Sequence, residues 1–315
     1  MTPENQTLVT EFILLGLSNL SLPVQCLLFF LFLSLYVLTL LGNMLIFFIL
    51  TVDPHLHTPM YFFLRNLSIL EICLISTTVP RMLISLLIKD QSISILGCAL
   101  QMYFFLFLAT VECFFLAAMA YDRYVAICNP LHYATVMTKG KCSMLVGIVW
   151  VTGMLFSAGR TSFVFSLPFC GLNVLDHFFC DISPVLRLAC LDTYTNDRVT
   201  LIAGVIIIVL PFLLIVASYI FILSSIRKLS SSESKEKAFS TCSAHLTSVT
   251  LFYGTAMLTY LQPRSGSSAD RDRVFALLYA VVMPMLNPMI YSLRNKEVKG
   301  ALKRRFSRSM HVQGL

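Results

Sequence analysis

The sequence predicts an all-α membrane protein: a bundle of seven transmembrane helices with a short amphipathic helix at its carboxy end. Three observations carry that expectation. Hydrophobic residues make up 57% of the 315 positions and charged residues only 12%, and the mean hydropathy is +0.81, a balance that soluble domains do not show. Seven runs supply the ~20 predominantly apolar residues that a helix needs to cross the hydrocarbon core. Threaded through a bilayer, these runs leave the basic residues unevenly divided between its two sides.

The runs lie near residues 24–50, 58–87, 95–128, 142–162, 198–226, 238–262 and 272–293. Residues 1–23 form an amino-terminal tail, 24–294 the bundle, and 295–315 a closing amphipathic helix and tail. The tail carries Glu4 and Glu11 and has no basic patch ahead of a short apolar core, so the first run is expected to act as its own signal anchor. Asn5-Gln6-Thr7 is an N-glycosylation acceptor triplet in that tail. In the last segment, Val298, Ala301, Leu302 and Phe306 share one helical face and basic residues occupy the rest, the pattern of a helix lying on an anionic leaflet.

An odd number of spans puts the two ends on opposite sides. The even loops and the carboxy tail hold fourteen basic residues, among them Lys139, Lys141, Arg227, Lys228, Arg304 and Arg305. The other side holds seven, counting Arg160 as an outer-end residue, and these are diluted by Asp176, Asp181, Asp192 and Asp197. The positive-inside rule then sets the amino terminus outside and the basic tail in the cytoplasm. The formal charge of +7 follows from this asymmetry, so it does not indicate a nucleic-acid partner.

Cys98, Cys170, Cys180 and Cys190 fall on the outer side, where disulfides persist, and four cysteines allow three connectivities. The other six lie in or at the ends of spans as small buried or interfacial residues, and no Cys/His pair has zinc-ligand spacing. Ionisable groups inside a membrane are expensive and are the first functional candidates. Glu71 and Glu112 lie near mid-span, with the amides of Asn43 and Asn287 at comparable depth. Two carboxylates in low dielectric must either hold a proton or bind a cation, and sodium coordination or a shared proton would each satisfy them.

The inner end of the third run reads Met119-Ala-Tyr-Asp-Arg-Tyr-Val-Ala-Ile-Cys128. Further stretches are Gly42-Asn43, Leu56-His-Thr-Pro-Met-Tyr-Phe-Phe-Leu64, Ser218-Tyr219, Lys237-Ala-Phe-Ser-Thr-Cys-Ser-Ala-His245 and Pro284-Met-Leu-Asn-Pro-Met-Ile-Tyr-Ser-Leu-Arg-Asn295. Together, in this order and over nearly the whole chain, they resemble the odorant (olfactory) receptors, a branch of the rhodopsin-like G-protein-coupled receptors.

That resemblance implies a plasma-membrane receptor for a small, mostly apolar volatile molecule that activates a stimulatory, olfactory-type heterotrimeric G protein and raises cAMP. Its partners would be the odorant, the G protein and membrane lipid. It implies a Cys98–Cys180 bridge from the third span to the second outer loop, and a Cys170–Cys190 bridge within that loop. Asp122, Arg123, Tyr124, Tyr219, His245 and Tyr291 would serve activation and G-protein coupling. Glu71 stands where rhodopsin-like receptors generally place the aspartate of a sodium site, and Glu112 where odorant receptors add a second acid. No cofactor is implied beyond that sodium ion, and no other metal.

By the same alignment the ligand site lies between spans three, five, six and seven under the second outer loop. It would be lined by Phe105, Leu106, Ala109, Thr110, Ala203, Ile207, Tyr253, Met257 and Tyr260, with Thr110, Tyr253 and Tyr260 as hydrogen-bonding groups. Phe105 stands where amine receptors hold an aspartate, which argues against an amine. No lysine or arginine is expected to project into the site, which argues against a carboxylate ligand. Esters, alcohols, aldehydes, ketones and terpenoids stay open. The sixth run has Phe252-Tyr253-Gly254-Thr255 in place of the usual tryptophan and proline, which disfavours the alternative of a non-olfactory rhodopsin-like receptor. A proton- or ion-coupled transporter would need a fuller polar pathway than two acids. An enzyme would need a nucleophile that no motif nominates.

Overall fold

The computed structural model describes residues 9–17, 20–88, 91–171, 173–191, 193–228, 231–261, 269–294 and 296–313. It does not describe the side chains of 234, 237, 240, 241, 269–272, 291–294, 296 and 306–313. Asn5, the predicted glycosylation site, lies outside the described residues, as does the side chain of Tyr291.

The long helices are α1 (Leu22–Val52), α2 (Pro59–Leu87), α3 (Ile95–Cys128), α4 (Lys139–Phe165), α5 (Tyr194–Lys228) and α6 (Ser232–Tyr260). They are followed by α7, which runs through Ala269–Leu277, Leu278–Val282 and Met283–Arg294, and by α8 (Lys296–Gln313). Each overlaps a predicted run, and α6 shows the largest shift, starting at Ser232 rather than 238. The ends follow local chemistry. Prolines in the first turn open α1 and α2, where the missing N–H would be unsatisfied anyway. Ser94 Oγ accepts from Gly97 N at 3.0 Å to cap α3, and Thr138 caps α4 in the same way.

Six of the described helices are long and apolar enough to cross a membrane, and α6 is not among them. Its 29 residues suffice in length, but serines, threonines and a histidine dilute it. The bundle shelters these groups: His245 and Ser248 are fully buried, while Thr247, Thr255 and Thr259 donate to carbonyls of their own helix. Packed against α3, α5 and α7, α6 completes the seven-helix bundle that the sequence predicts.

Two helices loosen at matching depth. Val205–Val209 in α5 and Leu278–Val282 in α7 are π-helical, and Pro211 and Pro284 follow just beyond. A proline clashes with the carbonyl four residues earlier, here those of Ile207 and Ala280, and a widened turn relieves that clash.

The amino-terminal segment is more ordered than a tail. Glu11–Leu14 forms β1, which pairs antiparallel with β2 (Ser92–Ser94) and parallel with β3 (Val174–Leu175). Phe12 and Leu14 are buried beneath this small sheet beside Met102, Val164 and Ile182. Exposure alternates along Glu11–Leu14, but the residues Glu-Phe-Ile-Leu do not alternate in polarity, so a reading of residues 1–23 as tail had no strand period to follow. The structure pairs Cys98 with Cys180 and Cys170 with Cys190.

At the opposite end Val298 and Ala301 of α8 are buried against the bundle, Leu302 packs beside them, and Lys299, Lys303 and Arg305 are exposed. Arg304 pairs with Asp53 at 2.7 Å and Tyr61 donates to Glu297 at 2.8 Å, so α8 is fastened to the loop after α1 and to the start of α2. The Arg304 guanidinium, with help from His55, holds the Asp53 carboxyl well below the usual carboxylate range.

Among the described glycines, Gly153 of α4 has the tightest surroundings: an added Cβ would sit 2.6 Å from Val111 Cγ2 and 3.3 Å from the Phe107 carbonyl oxygen of α3. Gly153→Ala should therefore cost ~1–3 kcal/mol through overpacking. Gly147→Ala on the same helix meets nothing within 4 Å and should be neutral or slightly stabilising. Thermal unfolding of the two purified variants checks this, and equal midpoints would contradict the packing.

Candidate ligand cavity and inner polar joint

Beneath the second outer loop, α3, α4, α5, α6 and α7 border a cavity of about 70 Å³. Of the predicted lining, Leu106, Ala109, Thr110, Ala203, Ile207 and Tyr260 border it. Phe105, Tyr253 and Met257 stand behind the wall. Phe105 is fully buried, with its ring centroid 4.8 Å from Phe179 and 5.1 Å from Tyr279. Tyr253 turns its hydroxyl to the Cys113 carbonyl at 2.8 Å and packs on Phe212. Met257 packs in the same cluster.

The roof is polar. Ile182, from the loop after Cys180, borders the cavity, and the preceding Asp181 accepts the Tyr260 hydroxyl at 3.1 Å. Tyr260 is also 2.7 Å from the Tyr279 hydroxyl of α7. The loop, α6 and α7 are thus joined by one set of hydrogen bonds over the site.

The expectation of a cavity without a basic side chain is corrected. Arg160 borders it, only 5% exposed, and its Nη2 donates to Thr200 Oγ1 of α5 at 2.6 Å. The sequence reading counted Arg160 with the outer-side charges although the run 142–162 contains it. The helix runs from Lys139 to Phe165 and buries Arg160 on the side turned to the bundle. The rule that an ionisable residue within a span is a functional candidate applied to it and was not used. With Phe156 it also adds α4 to the helices expected around the ligand.

Deeper in the bundle, the Asn287 side-chain amide donates to Glu71 and reaches Glu112 Oε1 at 3.4 Å. All three side chains are at most 2% exposed, and Glu71 Oε2, Glu112 Oε2 and Asn287 Oδ1 have no hydrogen-bond partner. Asn43 bonds not to these acids but to the Thr39 carbonyl at 3.0 Å and the Pro284 carbonyl at 3.2 Å, tying α1 to α7. The Pro284 carbonyl is free to accept because the residue four further on, Pro288, has no N–H to donate to it.

The inner half holds the remaining predicted residues. His245 is fully buried, with Nε2 3.1 Å from the Leu116 carbonyl and Nδ1 2.9 Å from the Tyr219 hydroxyl. A carbonyl can only accept, so Nε2 carries the proton and Nδ1 accepts from Tyr219. One imidazole therefore joins α3, α5 and α6. Arg123 is buried one helical stretch further in, against Cys242 of α6. Asp122 accepts the Tyr133 hydroxyl at 2.9 Å, and Tyr124 lies edge-on to Phe221 of α5. Burial and the Asp122 charge push the Tyr133 phenol upward, which keeps it a donor.

The seven-helix bundle thus holds a largely apolar cavity under a disulfide-held loop and a buried polar joint further in. A family model described as "Olfactory receptor" matches residues 32–309. The chain is 52% identical to human Olfactory receptor 10A4 over 312 residues, covering 99% of each chain. It is 51% identical to human Olfactory receptor 10A7, covering 96% of each, and 48% identical to mouse Olfactory receptor 1M1, covering 98% of this chain and 99% of that one. The chain belongs to the olfactory receptor family, a family of multi-pass membrane receptors and not of enzymes.

Replacing His245 with alanine leaves a buried tyrosine hydroxyl and a buried carbonyl without their partner, a loss of ~2–4 kcal/mol. Tyr219→Phe removes one bond and should cost about 1 kcal/mol. The thermal midpoint of the solubilised receptor should fall more for His245→Ala than for Tyr219→Phe, and the reverse order would refute the joint.

Proposed function

We propose that the receptor binds a volatile small molecule in the cavity under Asp181 and Ile182 and activates a stimulatory heterotrimeric G protein, raising cAMP. The observation that carries this reading is a mostly apolar cavity whose walls α3, α5 and α6 continue directly into the His245 joint. A ligand of ~10 heavy atoms at roughly 0.7 kcal/mol each binds with a Kd near 10 µM, which suits a fast, reversible sensor.

Binding alone shifts nothing; the ligand must prefer one arrangement of the bundle. The cavity is smaller than the ~150 Å³ that holds benzene in an engineered core. A volatile of ordinary size therefore widens it, and the widening displaces α5 and α6 where they meet α3. The moving element is the inner half of α6. Its displacement releases Arg123 and opens the inner loops to the G protein, with Tyr219, Tyr124, Asp122 and Tyr291 arranging around it. The amino terminus faces outside and α8 lies on the cytoplasmic leaflet.

The residues around Glu71 fit a small hard cation or a shared proton, since three buried oxygens lack partners there. A bound sodium ion would supply positive charge between the two carboxyl groups. A proton held between them would serve equally, and the Asn287 amide positions both acids in either case.

Arg123→Ala should abolish ligand-evoked cAMP in cells while an epitope on the amino tail still stains unpermeabilised cells. Normal signalling by this variant, or staining only after permeabilisation, would overturn the coupling role or the orientation. Sodium should raise the thermal midpoint of the purified receptor relative to choline, and Glu112→Gln should remove that rise. Equal midpoints in the two salts would assign the shared proton instead.

A further inference from the structure

Arg160 is the feature of the cavity that an apolar volatile leaves unexplained. A guanidinium in a membrane-embedded bundle carries a desolvation penalty of several kcal/mol unless a counter-charge offsets it. Among the described residues it forms no ion pair. Its Nη2 is held by Thr200 Oγ1, which in turn donates to the Asn196 carbonyl at 2.7 Å. Nη1 is buried and has no hydrogen-bond partner. The acid bordering the roof, Asp181, accepts from Ile182 N at 2.7 Å and from Tyr260.

Thr200 fixes the guanidinium by one nitrogen and leaves the other for a guest. Apart from Thr110 and the tyrosines at the roof, most of the wall is apolar, with Leu106, Ala109, Ile207, Ile208 and Ala256 presenting only hydrocarbon side chains. A cation at one point of a small hydrocarbon-lined chamber is complementary to an anion at the end of a short hydrocarbon chain. A carboxylate matches the guanidinium fork and restores the missing charge, which an alcohol or an ester cannot do.

We infer that the cavity is a site for a short-chain aliphatic carboxylic acid, bound as its carboxylate to Arg160 with its chain lying against α3, α5 and α6. This deepens the odorant-receptor reading and rests on it for the signalling output, but not for the binding itself. The carboxylate oxygens accept from Nη1 of Arg160, and Thr200 is a positioning residue that keeps the guanidinium turned inward. The Asp181 charge at the roof directs the acid group away from the loop and toward α4.

The test uses the full-length receptor with straight-chain acids of about four to eight carbons, matched against their methyl esters and the corresponding alcohols. Binding is read as thermal stabilisation of the purified receptor in nanodiscs, and signalling as cAMP in cells. The acids should stabilise the receptor at concentrations at least about tenfold below the esters and alcohols, and Arg160→Gln should remove that preference. Arg160→Lys should retain part of it, and Thr200→Val should weaken the acid without affecting the alcohol. Esters or alcohols that bind as well as the acids to the unmodified receptor, or no binding by any acid, would overturn the inference whether or not a variant folds. Acid binding through Arg160 without a cAMP response would uphold this site and refute the proposed coupling. A cAMP response to alcohols unaffected by Arg160→Gln would do the opposite.

Discussion

Inside a lipid-embedded bundle a polar group has no water to fall back on, and this constraint organises the molecule. Many polar side chains in the spans bond their own helix or reach across to another, while a few, such as Thr78, Ser157 and Ser248, are buried without a partner, and the cross-helix bonds set the assembly. Asn43 holds α1 to α7, Asn287 links α7 to the acids of α2 and α3, and His245 joins α3, α5 and α6. Apolar packing supplies area but little direction in a solvent as apolar as the side chains. Direction comes from these few bonds, and they fall in two layers, one at mid-depth and one toward the inner face.

Much of this was legible in the sequence because the bilayer imposes lengths and penalties that composition cannot hide. The seven runs emerged from hydropathy, and Glu71, Glu112, Asn43 and Asn287 from the cost of burying polar groups at depth. The sixth run, 238–262, was counted among those runs, although the whole helix α6, which starts in polar residues at Ser232, is too polar to pass by apolarity alone. The face on which Val298 and Ala301 lie was visible from helical period.

What could not be read was tertiary. Nothing local says that Phe12 and Leu14 pack under a sheet built from three distant segments, because two of its strands are only two and three residues long. The hydrogen-bond partners of Tyr253 and Tyr260 depend on which helix faces them, so Tyr253, expected to meet ligand, is spent on a backbone carbonyl. Arg160 was missed for a different reason: it lay inside the fourth run but near its outer end, where a long side chain can reach either the interface or the bundle, and only the packing of α4 against α5 decides which.

The paired π stretches in α5 and α7 have a mechanical consequence. A π turn holds one residue more than the helix around it, and it can migrate along the axis by exchanging one set of backbone bonds for the next. Each step re-faces only the residue that the turn passes, by about 100°, and leaves the two flanking halves in register, at no net loss of hydrogen bonds. Both stretches border the cavity, so these two walls can offer it a different side chain without moving a whole helix.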